Sequence, residues 1–117
     1  MTSERLASVV TLQVMALYAV TIDLPPSALA AARHTGAELA HLGFVLREQA
    51  GGDVERAEIG SLTRRGTRLV RVQVEARVRA HDAGEALAAA MAVLREAIAA
   101  HERDWDIGGA SATVTRA

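Results

Sequence analysis

The sequence predicts an α+β fold: a ferredoxin-like βαββαβ sandwich, with a four-stranded antiparallel sheet and two helices on one face. The first supporting observation is the run RLVRVQVEARVRA, Arg68 to Ala80. There Val70, Val72, Val74, Ala76, Val78 and Ala80 alternate with Arg71, Gln73, Glu75, Arg77 and Arg79. Successive side chains of a strand point to opposite faces, so one side is apolar and the other charged. A sheet with one charged face is covered on one side only, which favours an α+β layer over a doubly wound sheet. The second observation is the element order, strand–helix–strand–strand–helix–strand, the split βαβ pattern. The third is a faint repeat: SALAAA from Ser27 follows the first strand and EALAAA from Glu85 follows the third. Right-handed crossovers then put the first and third strands at the centre of the sheet.

The first strand is Leu17 to Leu24, where Tyr18, Val20, Ile22 and Leu24 alternate with Ala19, Thr21 and Asp23. Pro25 and Pro26 end it, and a proline is tolerated in the first turn of a following helix. From Ser27, the residues Leu29, Ala32, Gly36, Leu39, Gly43 and Leu46 recur at spacings of three and four, a narrow helical stripe. Gly36 and Gly43 on that stripe are expected to let the helix approach the sheet closely. The helix either continues to about Gln49 or stops at a Gly43 cap, leaving FVLREQ as a short strand. Gly51, Gly52 and Asp53 form a loop, Val54 to Leu62 a second strand, and Thr63 to Thr67 a turn in which Gly66 supplies a positive φ. The long third strand follows. Asp82 and Glu85 have capping-box spacing for a second helix, whose expected core stripe is Leu87, Met91, Leu94 and Ile98, flanked by Ala83 and Ala90. That helix ends near His101, and Ala110 to Arg116 is the last strand.

At 117 residues the chain suits one domain, placed at 17–117, with 1–16 an N-terminal arm or extra strand. The apolar run before Val20 is interrupted by Glu4, Thr11 and Gln13. It is followed by no clean A-x-A site, which argues against a signal peptide, and it is too broken to span a membrane. Met15 is a second candidate start. Half the residues are hydrophobic, but many are alanine, and Tyr18, Phe44 and Trp105 are the only aromatics. So thin a core suggests stability drawn from a partner subunit. The absence of cysteine excludes disulfides, thiolate metal sites and a cysteine nucleophile, and suits the cytoplasm.

All thirteen basic residues are arginine, a bias we read as genomic composition before arginine chemistry. The net charge of −1 hides an asymmetry, because six arginines and one glutamate lie between Thr63 and Arg79. Arg64, Arg65, Arg71, Arg77 and Arg79 are therefore the candidate partner-binding residues. Readers of single-stranded nucleic acid stack bases on aromatics, and this stretch has none, so protein carboxylates are the expected counterpart.

Other constellations are weaker. His34, Glu38 and His41 share one helix face and could hold Zn²⁺ between subunits, although a solvent-facing side of the helix accounts for them as well. His101, Asp104 and Asp106 flank Trp105, and the plainer reading is a histidine on the helix dipole and a tryptophan plugging the core. Ser61 lacks a nucleophile elbow. Gly108, Gly109, Ala110 and Ser111 precede a strand, whereas a phosphate cradle needs a helix after it.

No catalytic residue and no cofactor are assigned, and the balance is away from an enzyme. The expected function is that of a non-catalytic module acting through homo-oligomerisation, first as a dimer, or through a protein partner. Nucleic acid and membrane are disfavoured as partners. The alternative is a small-molecule-binding domain or cofactor-free enzyme, with its pocket formed in a ferredoxin-like dimer. The alanines Ala88, Ala89, Ala92 and Ala99, off the core stripe, would permit close helix contact, or simply reflect helix propensity.

Overall fold

A computed structural model describes residues 14–25, 36–66, 68–101, 105 and 107–117. It has the ferredoxin-like architecture. Strands β1 (Ala16–Leu24), β2 (Val54–Arg65), β3 (Arg68–Ala80) and β4 (Ser111–Arg116) form one sheet in the order β2-β3-β1-β4. Helix α1 spans Gly36–Gln49 and α2 spans Ala83–His101. Every neighbouring pair is antiparallel, and the first and third strands are central as expected. Of the expected N-terminal arm, residues 1–13 lie outside the described residues and Ala16 already belongs to β1; residues 26–35, where the first helix was expected to begin, also lie outside them.

Val20, Ile22 and Leu24 of β1 and Val72, Val74, Ala76, Val78 and Ala80 of β3 are buried beneath the helices. Each fully buried Val, Leu or Ile contributes about 1.5–3 kcal/mol, so the two central strands carry much of the core. Trp105 is buried in the same cluster, which agrees with its expected role as a plug.

The alternation fails at one end of β3, where Leu69 is buried and Val70 only half-buried. Thr63 pairs with Arg71 and the next residue, Arg64, with Leu69, so Val70 is an extra residue and the pleat changes sides there. Two more bulges lie on β2. One makes Glu55 extra, between the Val54–Val78 and Arg56–Arg77 pairs. The other makes Gly60 extra, between Ile59–Val74 and Ser61–Gln73. A Cβ at Gly60 would collide with the side chain of Glu75, so only glycine lets that carboxylate lie across the bulge. The second strand is also longer than expected. It runs to Arg65, which pairs with Arg68, so the turn is shorter than the expected Thr63 to Thr67. Gly66 has φ +62°, as both favoured two-residue hairpin turns require at their first position.

Helix α1 continues to Gln49 and does not stop at Gly43. Its buried side, Leu39, Leu42, Gly43, Val45 and Leu46, is wider than the expected stripe, and Phe44 is half exposed. Gly43 does not mark a close approach: a Cβ there would meet Ile59 Cδ1 at 3.8 Å and Arg47 Nη1 at 3.5 Å, ordinary contact distances.

Helix α2 is turned relative to expectation. Ala86, Ala90, Leu94 and Ala97 are its buried residues, whereas Leu87, Met91 and Ile98 are half-buried on one flank. Alanine on the inner line lets the helix axis sit close to the sheet, and the longer side chains then fill the space beside it. At the helix start, the Glu85 amide donates to Asp82 Oδ1 at 2.8 Å, the expected cap. The Glu85 carboxylate turns instead to His81 Nδ1, at 3.1 Å, so the capping box is formed on one side only.

Candidate functional site: the open face of the sheet

The face of the sheet turned away from the helices is polar on β2, β3 and β4 and mixed on β1, where Leu17 and Ala19 stand beside Arg79 and Arg77, and the strand register sorts it into rows. One row is Arg56, Arg77, Ala19 and Thr115; the next is Glu58, Glu75, Thr21 and Thr113. The third is Ser61, Gln73, Asp23 and Ser111, and beyond it Thr63 stands beside Arg71. The third row is tied by its own side chains. Ser61 Oγ donates to Gln73 Oε1 at 3.0 Å, and Gln73 Nε2 donates to Asp23 Oδ1 at 3.1 Å.

The first two rows put like charges opposite each other, Arg56 against Arg77 and Glu58 against Glu75. Such cross-strand pairs oppose folding by a few tenths of a kcal/mol each. Part of that charge is met locally, since Arg56 Nε lies 3.3 Å from Glu58 Oε1 on the same strand. Among the described residues the side chains of Glu75 and Arg77 have no ion-pair partner. Arg79 binds Glu55. The Glu55 hydrogen bond and charge, with a smaller contribution from Asp53, hold its guanidinium above the ordinary arginine pKa, so it stays charged throughout. A shallow depression of about 150 Å³ lies over the first two rows, lined by Ala19, Thr21, Arg56, Glu58, Glu75 and Arg77. It is charged and holds no histidine.

The five candidate arginines do not form one patch. Arg71, Arg77 and Arg79 lie on the open face, but Gln73 and Glu75 separate Arg71 from Arg77, a span of about 20 Å at ~3.3 Å per residue. Arg65 is at the tip of the hairpin. Arg64 pairs with the buried Leu69, which puts it on the helix side of the sheet. The local excess of positive charge counted along the chain is further reduced by Glu55 and Glu58 of the neighbouring strand and by Asp53 in the loop before it. Sequence reasoning missed these carboxylates. A signal was present in VERAE, where two charged residues in succession between Val54 and Ala57 mark a bulge.

Of the candidate metal set, His34 and the side chain of Glu38 lie outside the described residues, and His41 is exposed on α1. Among the described residues no group of three His, Asp or Glu side chains could hold a metal ion. The side chain of His101, and Asp104 and Asp106, are likewise outside them. Ser61 is committed to Gln73. The stretch Ile107–Gly109 is a single 3₁₀ turn leading into β4, closed by the Ala110 amide on the Ile107 carbonyl at 3.1 Å, so the turn reading of those glycines holds. No helix among the described residues is long and apolar enough to cross a membrane.

No protein-family model matches the chain, and no curated protein does. Several solved structures do. An aminobenzoyl-glutamate utilization protein from Klebsiella pneumoniae matches at 15% identity and a TM-score of 0.41, over 87% of this chain and 28% of that one. The aminopeptidase PepT from Bacillus cereus matches at 11% identity and 0.42, over 87% and 29%. A hydantoinase/carbamoylase family amidase from Burkholderia ambifaria matches at 16% and 0.41, over 88% and 27%. The chain spans less than a third of the length of each of these proteins.

Proposed function

We propose that this chain is a non-catalytic interaction module that works by docking protein surfaces, first of all its own, on the open face of its sheet. The observation that carries the reading is the pair of charged rows on β2 and β3. They set like charges side by side and leave Glu75 and Arg77 without ion-pair partners among the described residues. A purely solvated face has no need of such an arrangement, whereas a face that meets opposite charges on a partner turns it to use. The β2 edge of the sheet is less suited to contact. Strand β2 carries two bulges and ends in Arg64 and Arg65, and both bulges and edge charges are features that discourage strand-to-strand pairing.

Light scattering at micromolar concentration tests the reading. It should give a mass above 12.3 kDa, the mass of one chain. Replacing Arg71 and Arg77 together by alanine should weaken the assembly more than replacing Arg64 and Arg65. The first two lie within the face, and of the second pair one is at its tip and the other is on the opposite side. A monomer at every concentration and salt tested would remove the basis for the proposal.

A further inference from the structure

Building on the docking role proposed above, we infer that the occupant of the open face is a second copy of this chain, seated face to face in a two-fold register. In that register the arginine row of each copy lies over the glutamate row of the other. The geometry follows from the strand pairing. The Arg56–Arg77 row and the Glu58–Glu75 row are neighbours, two residues apart along the strands, or about 6.6 Å. A two-fold axis that runs in the plane of the contact, between the two rows and across the strands, exchanges them. Each Arg77 then meets a Glu75 from the other copy, and each Arg56 a Glu58.

The like-charge neighbours that are unfavourable within one chain become a chequered pattern of opposite charges between two. An isologous contact demands this self-complementarity. The depression between Ala19 and Thr21 lies on the proposed axis, where β1 of one copy faces β1 of the other and Ala19 meets Thr21.

The size of the face sets the expected strength. Four strands at ~4.8 Å spacing and nine residues at ~3.3 Å cover about 570 Å² per copy, or about 1,100 Å² in total. That is the lower end for a specific interface, where contacts are weak and transient. Because the pairing is between charges that are exposed to solvent in the free chain, it is expected to depend steeply on salt. Packed sheets lie about 10 Å apart and cross at about −30°, within reach of paired arginine and glutamate side chains.

The test uses charge reversal of whole rows, followed by sedimentation velocity at ~50 mM and ~500 mM salt. Four full-length proteins are compared: the parent, R56E/R77E, E58R/E75R, and the quadruple variant that exchanges the rows. All four positions are on the open polar face, and circular dichroism confirms that each variant folds. The parent should self-associate at low salt and dissociate at high salt. Each double variant should lose roughly tenfold or more in association, because like rows then face each other. The quadruple variant should return to the parent's strength, since exchanging two rows leaves the two-fold pattern intact.

A quadruple variant as weak as the doubles would overturn the two-fold register, because the parent's self-contact would then use another geometry. Double variants that associate as the parent does would overturn the inference while leaving self-association standing. A monomeric parent would overturn both it and the docking role.

Discussion

Replacing Ala90 by leucine tests the placement of α2 most directly. Ala86, Ala90 and Ala97 are 0–2% exposed, so α2 meets the sheet along a line of methyl groups. A leucine at position 90 adds three heavy atoms where none fit, and the helix must lift or Leu94 must leave its rotamer. Overpacking of this kind costs typically 1–3 kcal/mol. At roughly 4–6 °C per kcal/mol for a domain near this size, a cost of about 2 kcal/mol lowers Tm by about 8–12 °C. Met91→Ala is the internal comparison. Its side chain is half-buried on the flank, so truncation should cost only about 1 kcal/mol, below the range for fully buried methionine. Both variants are followed by thermal and urea denaturation with circular dichroism, at one fixed protein concentration because self-association would shift apparent stability. If the helix instead packed on Leu87, Met91 and Ile98, the order would invert. Met91→Ala would cost several kcal/mol and Ala90→Leu would be nearly silent. That inverted order is the result that refutes the placement.

Two further substitutions read local structure. Gly43→Ala should stabilise the protein by up to ~1 kcal/mol, because the position is mid-helix and a methyl group there meets only ordinary contacts; a loss of stability in urea titration would contradict it. Asp82→Ala should cost about 1 kcal/mol by removing the acceptor of the Glu85 amide, while Asp82→Asn should restore most of it. Equal losses in both variants would argue against a capping role.

The fold was legible because two period-2 runs are nearly unbroken. In β1 and in most of β3 the apolar residues fall where burial puts them, and their order relative to the helical stretches leaves few topologies. The phase of α2 was not legible. Its stretch EALAAAMAVLREAIAA contains apolar residues at almost every position. Hydrophobicity therefore cannot choose between the line through Leu87 and Met91 and the line through Ala86 and Ala90. Packing chooses, since a short distance between helix and sheet favours the line of smallest side chains. Gly43 was not legible for a different reason. A glycine on a buried stripe suggests contact with the sheet backbone, but what lies opposite is the end of a flexible isoleucine.

The open face was half legible, and its missing half decides the functional reading. Counting along the chain finds an arginine-rich hairpin and suggests one basic patch for an acidic partner. Register undoes that patch, because the bulges at Glu55 and Gly60 decide which β2 residues stand beside which β3 residues. Without the Glu55 bulge, β2 would shift by one residue against β3, and its outward side chains would turn inward from there on. Arg56 and Glu58 would then compete with Ala57 for the core side, at a desolvation cost of several kcal/mol for each charge left unpaired. The bulge keeps Ala57 inside and puts Arg56 beside Arg77 and Glu58 beside Glu75. Bulges carry no strong sequence signature beyond two outward residues in a row, so this pairing could not be read before the strands were aligned. The irregularity that hides the pairing in the sequence is also what makes the face self-complementary: it turns a run of positive charge into adjacent rows of opposite sign.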